Sequence, residues 1–129
     1  MLGRNSYEPE ELENARATVK KQLADWRSSG AGGDLETTYF NGLVLALDRP
    51  FVHRIRKMTG KDTNPLSEVE LLTESLLDND GVLREIKVIR YDADKSVLGL
   101  QIGDRIALTA DAFEELSTAF LKDVEQKSD

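Results

Sequence analysis

Cysteine is absent from the 129 residues, which removes disulfides, thiol nucleophiles and thiolate metal sites. Histidine occurs once, at His53, so the usual structural zinc sets and the Glu-x-x-His pairs of di-iron proteins are excluded. No serine sits in a Gly-x-Ser-x-Gly elbow. The glycines of Ser28-Ser29-Gly30-Ala31-Gly32-Gly33-Asp34 lack both the preceding strand and the Lys-Ser/Thr ending of a phosphate loop. Asp92-Ala93-Asp94-Lys95-Ser96 begins like a calcium loop but carries Val97 and Gly103 where such a loop needs Gly and Glu. No metal and no cofactor is expected.

No run approaches the roughly 20 apolar residues of a membrane span. Met1-Leu2-Gly3-Arg4-Asn5 passes into Glu8, Glu10, Glu11 and Glu13 without the apolar stretch of a signal peptide. A cytoplasmic location with no membrane partner is therefore expected. Aromatic residues make up 6 % and the formal net charge is −7. An acidic chain is repelled by phosphate backbones, and without exposed aromatics to stack on bases it is a poor nucleic-acid binder.

What remains is an ordinary globular composition, with 40 % hydrophobic and 32 % charged residues. One domain spanning 1–129 is expected, with a flexible tail over 1–8 and a flexible connection over 28–34. Pro9 with Glu10, Glu11 and Glu13 opens a helix over about 9–28, because proline needs no amide partner in the first turn and acids suit the dipole. Its stripe is Leu12, Ala15, Val19, Leu23 and Trp26, with Trp26 closing a core edge.

Residues 35–47 admit two readings. Asn41-Gly42 between two apolar runs is a hairpin signal. The rival is a helix, since Leu35, Tyr39, Leu43, Leu47, Phe51 and Ile55 recur at steps of four. The helix is favoured, broken near Leu47–Arg49 by Pro50, with Gly42 admitting a close helix neighbour. Asn64-Pro65, or Ser67 with Glu70, starts a further helix that Gly81 ends.

Beyond Val82 the vocabulary turns to β formers. Ile86 to Tyr91, Val97 to Ile102 and Arg105 to Leu108 read as three strands, and Thr109 or Asp111 caps a last helix carrying Phe113, Leu116, Phe120 and Val124. The expected class is α+β, in the order α-α-α-β-β-β-α, with N-terminal helices packed on a three-stranded antiparallel sheet.

The functional signal is concentrated in residues 49–81. Arg49, Arg54, Arg56, Lys57 and Lys61 come with no acid among them, and Asp62, Glu68, Glu70, Glu74, Asp78 and Asp80 follow with no base. Glu70, Glu74 and Asp78 fall on one helix face, where like charges repel, so a cation from Arg54, Arg56 or Lys57 is expected beside them. Two functions compete. A non-enzymatic binding or adaptor domain uses the opposite-signed segments to join a protein partner or a second copy of the chain as a homodimer. A small enzyme or sensor instead holds an anionic metabolite on Arg49, His53, Arg56, Lys57, Lys61 and Asn64, with the imidazole as base.

Thr38-Tyr39-Phe40-Asn41-Gly42, Leu47-Asp48-Arg49-Pro50-Phe51-Val52-His53-Arg54, Gly60-Lys61-Asp62-Thr63-Asn64-Pro65-Leu66, Ser96-Val97-Leu98-Gly99 and Gly103-Asp104-Arg105-Ile106-Ala107-Leu108-Thr109 together resemble a group of short bacterial proteins of unknown function. The resemblance covers about 35–125. It implies a bacterial, cytoplasmic protein and a continuous helix through Asn41-Gly42, and it brings no catalytic residue, cofactor or partner.

Overall fold

A computed structural model describes residues 3–128. Helices α1 (Pro9–Ser29), α2 (Asp34–Asp48), α3 (Arg56–Thr59), α4 (Pro65–Asp78) and α5 (Ala110–Lys127) account for most of the chain, and 3₁₀ turns occupy Arg49–Phe51 and Ala93–Lys95. α5 is the central helix, packing on α1, α2 and α4. Its expected stripe is its buried one: Phe113, Leu116, Phe120, Leu121 and Val124 all lie in the core.

The α+β expectation is overturned. Among the described residues there is no strand and no sheet, only isolated bridges joining Arg4 to Arg54, Asp62 to Arg90 and Val82 to Arg105. The three predicted strands lie in an irregular segment, residues 79–109, that is held point by point. Leu83, Ile89, Ile106 and Leu108 are buried individually. Leu83, Gly103 and Ile106 donate their amides to carbonyls of Asp104, Leu83 and Gly81, each at 2.8 Å, and several other amides go to side chains on the helices. Glu68 accepts from Val97 and Leu98 at 2.7 and 3.0 Å, and Ser75 Oγ accepts from Arg84 at 3.1 Å. Asn41 Oδ1 accepts from the amide of Leu108 at 3.1 Å, while its Nδ2 donates to the carbonyl of Ile106 at 2.8 Å. β propensity reports fit to a half-buried extended surface, and here helices provide that surface.

α2 runs unbroken through Asn41-Gly42, so the helical reading holds and the hairpin does not form. Asn41, half of the turn signal, is the clamp just described. The helix stops at Asp48 and tightens into the Arg49–Phe51 turn, as expected where Pro50 removes a ladder amide. The buried stripe is shifted from the predicted one: Phe40, Val44, Leu47 and Phe51 are buried, whereas Leu35 is 57 % exposed. Trp26 stacks on Tyr39 at 5.3 Å and meets Phe40 edge-on, closing the α1–α2 edge.

Gly42 faces open space, and a methyl group added there would meet nothing within 4 Å. No close helix neighbour explains it. Gly42→Ala is therefore expected to stabilise the fold by about 1 kcal/mol, through helix propensity and a less flexible unfolded chain. A thermal melt followed by circular dichroism checks this, and a lower midpoint would mean that α2 is not a regular helix there.

Gly3 to Glu8 lie against residues 51–55. The amide of Arg4 donates to the carbonyl of His53 at 2.8 Å, and the amide of Ile55 to that of Arg4 at 2.9 Å. Tyr7 is buried against Phe51. Gly3 passes so close that a Cβ there would run into Ile55 Cγ2 and come within 2.8 Å of the carbonyl of His53. Arg4 grips Glu11 with two bonds of 2.8 Å. That guanidinium, helped by the amide of Glu8, holds the Glu11 carboxyl down at about 2.

Candidate functional site

The cationic segment is divided by the fold. Arg49 and His53 are exposed on the 3₁₀ turn and the bend after it. Lys57 and Lys61 are also exposed, and line a separate cavity of about 400 Å³ with Asn5, Asn64 and Lys127. Asn64 caps α4. Its Oδ1 accepts from the amide of Ser67 at 2.9 Å, and its Nδ2 donates to the carbonyls of Thr59 and Asp62 at 2.7 and 2.9 Å. With every hydrogen of its amide group engaged, it offers no donor to a ligand. Arg56 turns the other way, donating to Glu70 at 2.6 Å and to the carbonyl of Gly60 at 3.1 Å. This pair is the cation partner expected beside the acidic ladder. The six candidate residues therefore do not share one cavity: Arg56 lines one, Lys57, Lys61 and Asn64 another, and Arg49 and His53 neither.

Arg54 is the residue of this run whose role the sequence hides. Its side chain is 5 % exposed and pairs with Asp48, itself 8 % exposed, at 2.7 Å. Nε donates to Thr59 Oγ1 at 3.0 Å, and the two terminal nitrogens donate to the carbonyls of Phe51 and Leu66 at 3.0 and 2.9 Å. The guanidinium also lies 5.4 Å from the centre of the Phe120 ring. In one group it ties the α2 end, the bend, α3, the start of α4 and α5 together. A bare run of cations gives no sign of which member is buried.

Above this pair opens a cleft of about 410 Å³ between α4 and residues 48–59, lined by Asp48, Val52, Arg54, Arg56, Glu70, Thr73, Glu74, Leu77 and Asp78 among others. Both arginines are spent on Asp48 and Glu70, whereas Glu74 and Asp78 have no cation partner among the described residues. Val52 and Leu77 stand 47 % and 65 % exposed. Leu77, on α4, points outward rather than into the core. The hydroxyl oxygen of Thr73 is enclosed and has no hydrogen-bond partner.

Comparisons with known protein families, with curated proteins and with solved structures find no match. Nothing in them bears on the resemblance of residues 35–125 to short bacterial proteins. Among the described residues no helix is long and apolar enough to cross a membrane, and no group of three or more Asp, Glu or His side chains is placed to hold a metal ion. What the chain can do chemically must be read from its own surfaces. The α4 cleft offers an apolar rim, uncompensated carboxylates and one orphan hydroxyl.

Proposed function

We propose that this protein is a non-enzymatic binding domain whose α4 cleft receives a protein segment presenting an apolar side chain beside a Lys or Arg. The observation that carries this reading is the pairing pattern at the cleft. Internal ion pairs consume both arginines and leave Glu74 and Asp78 next to the exposed Val52 and Leu77. Charge complementarity would select the partner and the apolar contact would hold it. A cytoplasmic, bacterial setting fits this reading and belongs to the proposal.

The test is a titration of the protein with a short amphipathic Leu/Lys peptide, followed by backbone NMR, with a Leu/Glu peptide as control. The Leu/Lys peptide should give saturable shifts confined to residues 48–59 and 70–78, and the control none. Leu77→Ser should weaken binding about tenfold, the loss expected when one leucine is no longer buried. Shifts spread over the whole acidic surface, abolished by salt and unchanged in Leu77→Ser, would leave only a charged exterior. Sedimentation of the chain alone separates a homodimer seated on the same cleft, which Leu77→Ser would dissociate.

A second reading is a small anion, the ligand sought by the enzyme or sensor hypothesis. The cavity holding Lys57 and Lys61 supports it. Of these two and the nearby Lys127, only Lys127 is paired, with Asp123 at 2.9 Å. Titration with phosphate would then move the resonances of Lys57 and Lys61, and not those of the cleft.

A further inference from the structure

The largest groove described on the molecule runs between α1 and α5 and has a volume of about 780 Å³, within the usual range for small-molecule sites. It shares no residue with the α4 cleft. Its floor is apolar, formed by Val19, Leu23, Ala24 and Leu121. Two ion pairs cross it: Arg16 to Glu125 at 3.1 Å and Arg27 to Glu114 at 2.8 Å. The eleven-residue step from Arg16 to Arg27 along α1 sets these clamps about 16 Å apart.

The charge left over here is the reverse of that in the cleft. Both carboxylates of the lining are taken by the clamps, whereas Lys20 and Lys122 line the groove and pair with no carboxylate among the described residues. Lys20 lies one turn after Arg16 and Lys122 one turn before Glu125, so both ammonium groups fall toward the same end. A chain carrying seven negative charges in net thus keeps two uncompensated cations at one end of an apolar trough.

We propose that this groove binds a free amphiphilic monoanion, an aliphatic or aromatic body with one carboxylate or sulfonate head. The body lies over Val19, Leu23 and Ala24 between the clamps, and the head takes hydrogen bonds from Lys20 and Lys122. A head of negative charge is favoured because burying the apolar body beside it lowers the local dielectric and strengthens both bonds. A cationic amphiphile would meet two ammonium groups at that end.

The experiment uses the whole chain, with laurate below its micelle concentration and anilinonaphthalene sulfonate as a fluorescent probe. The chain's single tryptophan, Trp26, one turn from Leu23 on α1, serves as energy donor to the probe. The expected result is saturable transfer from Trp26 that laurate displaces and dodecyltrimethylammonium does not. The double variant Lys20→Gln, Lys122→Gln should bind both anions about tenfold more weakly, with an unchanged circular-dichroism melt. Thr118→Trp, a substitution at an exposed lining residue, should block the groove with both lysines in place. Read by intrinsic protein-to-ligand calorimetry with laurate, it should abolish binding. Equal displacement by the cationic amphiphile, affinity within about twofold in the lysine variant, or association only with anionic vesicles and not with monomeric laurate would each overturn the proposal.

Discussion

Arg54→Ala should cost this protein about 3–5 kcal/mol of folding stability, the range for stripping one partner from a buried ion pair. Removal of the guanidinium leaves the Asp48 carboxylate enclosed without its cation, and frees the carbonyls of Phe51 and Leu66 and the hydroxyl of Thr59. Arg49→Ala, at an exposed position in the same cationic run, should stay within about 0.5 kcal/mol. Urea unfolding of the two variants side by side makes the comparison. If they lose the same amount, Arg54 is not enclosed as described. Replacing both partners, Asp48→Leu with Arg54→Met, should recover much of the loss, because two apolar side chains leave no stranded charge.

Glu68→Ala should cost about 2–4 kcal/mol, since two partly buried amides, those of Val97 and Leu98, lose their shared acceptor. Amide exchange at those two residues should accelerate well beyond the global change. Glu68→Gln keeps one acceptor oxygen and should fall between the variant and the parent. The same site gives a pH signature. Burial pushes the Glu68 carboxyl above its ordinary 4.5, against the pull of the two amides. The folded chain therefore holds this proton more tightly than the unfolded one. Its contribution is complete below about 4.5 and is lost as pH rises through the folded value. Glu11 works in the opposite sense. Its carboxyl is held at about 2, so its contribution is present above about 4.5 and lost as pH falls toward 2. That carboxylate is half exposed, which limits it to about 1 kcal/mol or less. Urea midpoints between pH 4 and 7 should decline less in Glu68→Gln than in the parent; an identical slope would show that Glu68 is solvated.

Helix starts were legible because they rest on local chemistry: Pro9, Asn64-Pro65 and Thr109 each sit where expected. Their stripes were legible too, to within one residue on α2. The sheet was misread for a physical reason. Val, Ile and Tyr favour extended backbone, but whether an extended segment pairs with another strand or lies on helices is settled by long-range acceptors. Those acceptors are Asn41, Glu68 and Ser75, which read locally as a turn residue, an acid on a charged face and a filler. Arg54 illustrates the same limit in the candidate site: formal charge says nothing of burial. Gly3 to Tyr7 carry no periodic pattern; what docks them is the pair of Arg4 backbone bonds to His53 and Ile55 and the burial of Tyr7 on Phe51, neither of which has a local signature.

A β-rich stretch ordinarily brings an exposed ladder edge, which invites edge-to-edge association and must be blunted by charges or proline along the strand. Here the stretch richest in strand formers forms no ladder among the described residues: the amides of Arg84, Val97, Leu98 and Leu108 are answered from the side by helical residues, and those of Leu83, Gly103 and Ile106 by carbonyls within the segment itself. A chain that keeps its helices but loses Glu68 would release the amides at the head of Val97 to Ile102 as the start of an unpaired, aggregation-prone segment.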